Sequence, residues 1–393
     1  LAIRRGVESA GSVLPDIVDD FLMPGEVADP DAYEILVGAT NRPESSAVAT
    51  EFTNYASFSV SVVGHKIVVL ASDDSGYASA AEWLCDRFYT YVDRKAGTLV
   101  LPAELSFSGA TNNMLSTLPL YATRGRVEAL WDCGDDCRMY IIKNTAASEY
   151  SGYAASLTGA GYEKYTENKI GDNLYATYTS PGGKYVLNTV YTAYEKKTRL
   201  IIEPLSKTEL PVVETADTSG GSPVTVTQVG LEYLYDTGKT IADFQIGMLY
   251  IIRLRDGRFI IVDGGYRRQK NLDLFMDQLK KQAPDPENIK IAAWILTHSH
   301  GDHVGLLSQV ANTPSALKCL SVERFIYNFP SVEQYKKMDE SYPGGVYSSI
   351  KMFRGAKTVK AHPGQRFVIG GAEIEYYSTV ELVAPADCDT GNT

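Results

Sequence analysis

The sequence contains few cysteines, few histidines and no long apolar run. Its 393 residues include five cysteines, too few for the disulfide framework on which small secreted domains depend. No stretch of about 18 consecutive apolar residues occurs, so no membrane span is predicted. The formal net charge of -11 does not indicate a nucleic-acid partner, because a phosphate backbone calls for clustered lysine and arginine. The length exceeds that of one typical core, so two or three domains are expected.

Two of the cysteines, Cys133 and Cys137, form the short motif Cys-Gly-Asp-Asp-Cys. This spacing is a weak indication of half a zinc site, because the sequence offers no second pair. We interpret the two residues as thiols, or as a local disulfide, beside a turn. Cys85 lies on the apolar face of a predicted helix, and we expect it in a core.

Histidine is scarce, yet three of the five histidines lie in one short stretch. The preceding run, Lys290–Thr297, is nearly continuously apolar, which predicts a buried strand. His298 and His300 are two residues apart and would project together from an extended segment. Asp302 and His303 begin a predicted helix. Because imidazoles with an added carboxylate suit zinc, iron or manganese better than calcium or magnesium, the stretch predicts a metal site at the end of a strand.

The pattern His-x-His-x-Asp-His resembles the signature of the metallo-beta-lactamase superfamily. The resemblance extends upstream to Gly247–Gly265, which looks like the opening hairpin of that family: two strands around an Asp-Gly turn, ending in Asp-Gly-Gly. It covers roughly residues 222–393 and implies an αββα sandwich. In detail this part is more similar to the branch that includes DNA-uptake and related bacterial hydrolases than to true lactamases.

The resemblance also implies a role for each residue of the motif. His298 and His300 would bind a first metal ion. Asp302 and His303 would bind a second, and Asp263 would lie behind these ligands and orient them. The implied cofactor is zinc, with two ions in a complete domain, and iron or manganese are the alternatives. Asp302 would in addition orient or deprotonate the attacking water, which makes it the candidate catalytic residue.

One feature departs from the family pattern. The family supplies a further His, a bridging Asp and a last His after the motif, whereas a single histidine, His362, follows His303 here. The Pro-Gly pair after His362 predicts a turn, so we expect an exposed turn residue rather than the missing ligand. The end, Glu381–Thr393, looks like the loop before the next family strand. We therefore expect a fragment that holds the N-terminal half of the catalytic domain.

The chain is predicted to consist of several segments, in a mixture of α/β and α+β folds. Residues 1–110 form a small α/β domain, in which EILVGATNRPESS and the hairpin and helix after it resemble the N-terminal domain of bacterial carbohydrate-active enzymes. Residues 111–205 form an α+β domain with tyrosine-rich antiparallel strands. Residues 206–223 lack periodicity and contain Ser-Gly-Gly-Ser, which predicts a linker. Residues 224–393 hold the metallo-beta-lactamase-like part.

Two functions of different classes fit these patterns. The first is a metal-dependent hydrolase, with two zinc ions, that uses a metal-activated water. The second is a cell-surface binding or adhesion protein formed by the two N-terminal domains, with an auxiliary or incomplete metal domain. The tyrosine-rich strands offer a face for a sugar or peptide, and strand preference alone also accounts for these tyrosines. The patterns do not select a substrate, and we expect a small molecule or a component of the cell envelope.

The expected location follows from the N-terminal part. Its resemblance to a domain of carbohydrate-active enzymes points to a bacterial protein that is extracytoplasmic or secreted. The sequence starts at Leu1 without an initiator methionine or an apolar export segment. We therefore expect that any signal peptide has been removed or was not included.

Overall fold

The computed structural model describes the chain except for residues 11–14, 19–20, 94, 97, 111–112, 123, 215–222, 232, 235–242, 245–246, 338–342 and 384–393. It divides into two compact units. The first comprises Leu1–Val127 and Tyr153–Ala160, and the second comprises Glu128–Gly152 and Gly161–Thr393. Within the described ranges, no helix has the length and apolar character needed to cross a membrane.

A small α/β sheet organises the first unit. Its elements, in chain order, are α1 (Ala2–Ser9), β1 (Glu34–Val37), α2 (Pro43–Ala47), β2 (Ser57–Val63), β3 (Lys66–Ala71), α3 (Asp74–Tyr91), β4 (Val92–Asp93), β5 (Thr98–Leu99) and β6 (Ser106–Ala110), followed by single 3-10 turns at Leu115–Thr117 and Arg124–Arg126. The sheet order is β1-β3-β2-β6, in which β2 and β3 form the predicted hairpin. Helix α3 packs on the sheet through Ala80, Leu84 and Phe88, which recur at helical spacing.

An antiparallel sheet forms the first part of the second unit. Its strands are β7 (Val127–Gly134), β8 (Cys137–Ile142), β9 (Glu163–Ile170), β10 (Asn173–Thr179), β11 (Tyr185–Thr192) and β12 (Lys197–Pro204). Helix α4 (Ala147–Gly159) lies between β8 and β9 in the chain, and its residues from Tyr153 onward belong to the first unit. The spatial order is β7-β8-β12-β11-β10-β9. Strands β11 and β12 are buried along almost their whole length, so this sheet is covered on both faces at its centre.

A mixed sheet forms the rest of the second unit. Its elements are β13 (Thr225–Gln228), β14 (Tyr233–Leu234), β15 (Asp243–Phe244), β16 (Leu249–Arg253), β17 (Phe259–Asp263), α5 (Gln269–Gln282), β18 (Ile289–Leu296), α6 (Gly301–Ala311), α7 (Pro314–Cys319), β19 (Leu320–Val322), β20 (Arg324–Tyr327), α8 (Val332–Lys337), α9 (Gly344–Ile350), β21 (Lys357–Lys360), β22 (Arg366–Ile369), β23 (Ala372–Glu375) and α10 (Val380–Val383). The order of the mixed sheet is β13-β16-β17-β18-β20-β21, with β19 also on β18, whereas β14–β15 and β22–β23 form two separate two-stranded sheets. The predicted hairpin of β16 and β17, the buried strand β18 and the helix α6 are all confirmed.

The two faces of the mixed sheet have different covers. Phe259 and Ile261 of β17 face a core formed with helices α5, α6 and α9, whereas Ile260 between them faces the other side. There it packs with Phe367 and Ile369 of the β22–β23 hairpin. Helices thus cover one face of this sheet among the described residues, and the complete αββα sandwich implied by the resemblance is not confirmed.

The segment predicted as a linker, 206–223, is described as far as Glu214, and this part contacts the mixed sheet. The hydroxyl of Thr208 accepts a hydrogen bond from the Lys360 backbone N–H, and Val213 forms a parallel bridge with Val368. Glu214 then pairs with Arg258 at 2.6 Å. The remaining linker residues, 215–222, lie outside the described residues.

Candidate metal centre

The histidine motif lies at the carboxyl end of β18, where a buried strand passes into a helix. Strand β18 is parallel to β17 and β20 on either side, and its residues from Ile291 to Leu296 are buried. His300 is the N-cap of α6, and its carbonyl accepts hydrogen bonds from the N–H groups of His303 and Val304. The strand end and the first helical turn therefore present all four potential ligands at one edge of the sheet.

Close backbone packing fixes the start of α6. A Cβ added at Gly305 would lie 2.3 Å from the backbone nitrogen of Arg267, so no side chain fits at this position. The Leu306 N–H donates to the Gly265 carbonyl at 2.9 Å in the same contact. A Cβ at Gly247 would likewise lie 2.5 Å from the carbonyl oxygen of Asp302. The glycines allow the motif to be held by main chain on two sides.

Asp263, the last residue of β17, is the centre of the hydrogen-bond network behind the motif. Its side chain is fully buried, and its backbone has φ 57, a left-handed conformation in which Asp is among the few tolerated side chains. One carboxylate oxygen accepts the Thr297 N–H at 2.8 Å. The other accepts the Thr297 hydroxyl at 2.7 Å and contacts His303 Nδ1 at 2.7 Å. The contact to His303 is the one that an orienting role for Asp263 requires.

The imidazoles of the motif lie against one another. The ring centroids of His298 and His303 are 3.9 Å apart, and those of His298 and His300 are 5.0 Å apart. His303 Nε2 lies 3.7 Å from a carboxylate oxygen of Asp302. Behind them the hydroxyl of Tyr335, from α8, hydrogen-bonds Ser299 at 2.6 Å. The sequence predictions did not include the support from Thr297 and Tyr335.

The pKa values of two of these histidines shift in opposite directions. Burial, together with the charge of His303, lowers the pKa of His298 below its ordinary value. Burial also acts to lower the pKa of His303, but the hydrogen bond and the negative charge of Asp263 outweigh it and raise that pKa. A neutral His298 is the form that binds metal ions.

The donor set of the motif fits a transition metal. A hydrogen on His303 Nδ1, held by Asp263, leaves Nε2 as the lone-pair nitrogen. The 3.7 Å between that nitrogen and the Asp302 carboxylate is a separation that one ion spans with bonds of about 2.0 to 2.2 Å. In the described parts of the chain, however, three ligand atoms within 4.8 Å of one another occur at Cys137, Glu203 and His362 and not at the motif. No three ligand atoms of the motif are thus that close together in the described part of the chain.

The prediction that His362 is an exposed turn residue is wrong. The turn exists, since the Gln365 N–H donates to the His362 carbonyl, but the His362 side chain is fully buried. Its Nε2 contacts Glu203 at 2.7 Å and its Nδ1 contacts Glu381 at 2.9 Å. Burial acts to lower the pKa of His362, but these two carboxylates raise it well above its ordinary value. The exposure prediction failed because residues remote in sequence cover the turn.

His362 also lies apart from the histidine motif. It follows β21, which is separated from β18 by β20, so roughly 10 Å of sheet lies between the two strand ends. The last predicted loop, Glu381–Thr393, is described only as far as Val383, and within that range it forms α10. Residues 384–393 lie outside the described residues. The sequence patterns did not predict a role for Glu203 or Glu381. The pattern that could have indicated one is a glutamate inside an otherwise apolar, buried run.

One comparison with known proteins supports the family that the histidine motif resembles. No curated protein matches the chain. The resemblance of residues 1–110 to a domain of carbohydrate-active enzymes therefore gains no support and stays a prediction. Residues 242–377 match the family model of the metallo-beta-lactamase superfamily, and they include the hairpin of β16 and β17, the motif and the β22–β23 hairpin. The family model thus supports a metallo-beta-lactamase superfamily domain in this part of the chain.

Proposed function

We propose that the protein is a metal-dependent hydrolase of two zinc ions that uses a metal-activated water. The observation that carries the proposal is the contact between Asp263 and His303 Nδ1 beneath the His-x-His-x-Asp-His motif, in a domain that matches the superfamily. In this proposal His298 and His300 hold one ion, and Asp302 and His303 hold the other. Iron and manganese are the alternative ions for the same donors.

Different residues would have different roles in the proposed reaction. When bound, the two ions would supply a water molecule of lowered pKa and polarise the scissile carbonyl or phosphoryl group. Asp263 holds the hydrogen of His303 on Nδ1 and so keeps Nε2 free to bind. Asp302, whose side chain is 24% exposed, faces solvent enough to meet the attacking water and accept its proton. The Thr297 hydroxyl fixes Asp263 from the other side.

The substrate belongs to the proposal as well. We infer a small molecule or a component of the cell envelope, encountered outside the cytoplasm. The net charge of -11 favours substrates other than nucleic acid. The superfamily signature spans lactams, thioesters and phosphodiesters, and fold alone does not choose among them. Neither the family match nor any described residue favours the alternative of a binding or adhesion protein, and we do not propose it.

A paired experiment tests the proposal. Protein purified without chelator is analysed for bound metal and assayed on chromogenic lactam, thioester and phosphodiester substrates. We expect hydrolysis of one class, loss of it on chelation and recovery with zinc. His300→Ala should lose bound metal, and Asp302→Asn should lower kcat by at least about 100-fold.

The matched control is His65→Ala. His65 is a surface histidine in the turn between β2 and β3, remote in sequence from the motif. This variant should keep metal and activity. Turnover that survives in His300→Ala, or metal-loaded protein that hydrolyses none of the three classes, would contradict the proposal.

A further inference from the structure

A second cluster of ligand-type side chains lies in the interior of the second unit. Cys137 begins β8, Glu203 lies near the end of β12, and His362 lies in the turn after β21. Strands β8 and β12 pair so that Arg138 opposes Ile202, which places Cys137 and Glu203 across from each other. All three side chains are at most 2% exposed, and their ligand atoms lie within 4.8 Å of one another. Sulfur, carboxylate and imidazole thus meet in one buried space.

The orientation of His362 is that of a metal ligand. Its Nε2 points to Glu203 at 2.7 Å, into the group of potential ligands. Its Nδ1 points away from that group, to Glu381 at 2.9 Å. Glu381 is fixed in turn by the Thr379 hydroxyl and the Asn328 side-chain amide. Histidines that bind metal typically donate their second N–H to a carboxylate in this way, which sets the tautomer and the ring plane.

Cys133 is the candidate for a fourth donor, but its sulfur lies outside the group of ligand atoms that are all within 4.8 Å of one another. It lies across the tight turn from Cys137, and its thiol hydrogen-bonds the Cys137 thiol. Lys360 donates from its ammonium group to the Cys133 carbonyl in the same interior space. Two sulfur atoms, one imidazole nitrogen and one carboxylate oxygen are a set that selects zinc over calcium or magnesium.

The charges of the cluster allow a divalent ion to replace protons. An imidazole held between two carboxylates carries hydrogen on both nitrogens, so His362 and Lys360 balance Glu203 and Glu381. A zinc ion bound by Cys137, Glu203 and His362 displaces the Nε2 proton and the Cys137 thiol proton. Two positive charges leave and two enter, so the buried net charge stays the same. Binding by Cys133 as well would release one more proton and leave the buried cluster with one net negative charge.

The geometry of Cys137, Glu203 and His362 needs small shifts only, whereas the Cys133 sulfur would have to move further to reach the same ion. Bonds of about 2.0 to 2.3 Å place neighbouring ligands of a tetrahedral zinc ion roughly 3.3 to 3.8 Å apart. The contact between Glu203 and His362, at 2.7 Å, would open by about 1 Å, and the widest of the three separations, at most 4.8 Å, would close by a similar amount. A cleft whose lining includes Asp135 and Lys207 reaches Glu203 and Lys360, and it gives an ion a route to the cluster.

We propose that Cys133, Cys137, Glu203 and His362 form a structural zinc site, distinct from the histidine motif, that ties the antiparallel sheet to the turn after β21. This site is independent of the proposed hydrolase activity. Its four ligands come from a tight turn, a neighbouring strand and a distant turn, so a bound ion would cross-link segments as far apart in the sequence as Cys133 and His362, which are 229 residues apart. With all four positions filled by protein, it would leave no place for a substrate.

Sulfur in the zinc shell is the observation that tests this site. The motif offers only nitrogen and oxygen, so sulfur bonded to zinc in the X-ray absorption spectrum of the wild-type protein can come only from cysteine. With Co²⁺ in place of zinc, a thiolate-to-cobalt charge-transfer band reports the same bond. We expect both signals in the wild type, and we expect them to persist in a His298→Ala/His300→Ala variant that retains about one ion per chain.

Matched variants separate the site from a general effect on thiols. Cys137→Ser and His362→Gln should weaken metal binding at the sulfur site by at least about tenfold, whereas Cys319→Ser, at the partly exposed end of α7, should leave it unchanged. A wild-type zinc shell without sulfur would overturn the proposal and leave a buried ion-pair network. A Cys133–Cys137 disulfide in place of bound metal would also overturn it. If Cys137→Ser does not fold, the wild-type absorption spectrum alone decides.

Discussion

Asp263→Asn separates the orientation of His303 from the presence of its imidazole. Asn has the shape of Asp and tolerates the left-handed backbone at this position, where φ is 57. The Thr297 N–H keeps an acceptor in the amide oxygen. The second carboxylate oxygen, however, is replaced by an NH₂ group that faces His303 Nδ1. Nδ1 then has to accept a hydrogen bond, and the imidazole hydrogen moves to Nε2, the nitrogen that would bind the metal.

The magnitude follows from the contacts that change. Loss of the partner that orients a metal-binding histidine typically lowers metal affinity by about 10 to 100-fold, or about 1.4 to 2.8 kcal/mol. Since Asp263 is fully buried, the free energy of unfolding of the metal-free protein should also fall, by about 1 to 3 kcal/mol. The two effects have to be measured apart.

Metal affinity is measured by competition with a chromogenic chelator, and the His303 tautomer by nitrogen NMR. Trp294→Phe is the matched control, because the indole N–H donates to the main-chain carbonyl of Asp263 at 3.0 Å and not to its carboxylate. This variant should lose stability and keep metal affinity. If Asp263→Asn binds zinc within about twofold of the wild type, or Trp294→Phe weakens binding as much, the orientation argument is refuted.

Two further predictions concern stability. Gly305→Ala should lower the free energy of unfolding by about 1 to 3 kcal/mol in chemical denaturation, because the added Cβ meets the Arg267 backbone at 2.3 Å. Gly152→Ala is the control, since it has open space around it in α4, and it should raise the free energy of unfolding by up to about 1 kcal/mol. Equal effects of the two substitutions would refute the packing argument. Burial acts to raise the pKa of Glu214, but its hydrogen bond to Arg258 outweighs burial and lowers that pKa below 4.5. This carboxylate therefore stabilises the fold at neutral pH. Its contribution to the free energy of unfolding declines as the pH falls from 4.5 through the pKa of Glu214 in the folded protein. Glu214→Gln should therefore cost about 1 kcal/mol at neutral pH, discounted because the pair is partly exposed, and the difference from wild type should narrow in acid unfolding curves; a difference that is independent of pH would contradict this assignment.

Local sequence determined much of the part of the chain that matches the family model. The apolar run before the motif predicts the buried strand β18, and the periodic residues after it predict α6. Both predictions work because strand and helix patterns depend only on residues that are close together in the sequence. The Asp-Gly turn of the hairpin between β16 and β17 was predictable for the same reason. The motif residues His298, His300, Asp302 and His303 lie within six consecutive positions, so their convergence at one strand end needed no tertiary information.

Tertiary structure decided the surroundings of these elements. The Pro-Gly pair after His362 correctly predicts a turn, because a turn is a property of a few neighbouring residues. Burial depends instead on what packs against the turn, and here Glu203 comes from 159 residues away. The register between β8 and β12 then decides which side chains face His362, and that register depends on pairing along both strands. The sequence by itself thus specifies the histidine motif and its supporting strand and helix. Only the packed fold brings Cys137, Glu203 and His362 together. The reason is that long-range pairing is not encoded in any single segment.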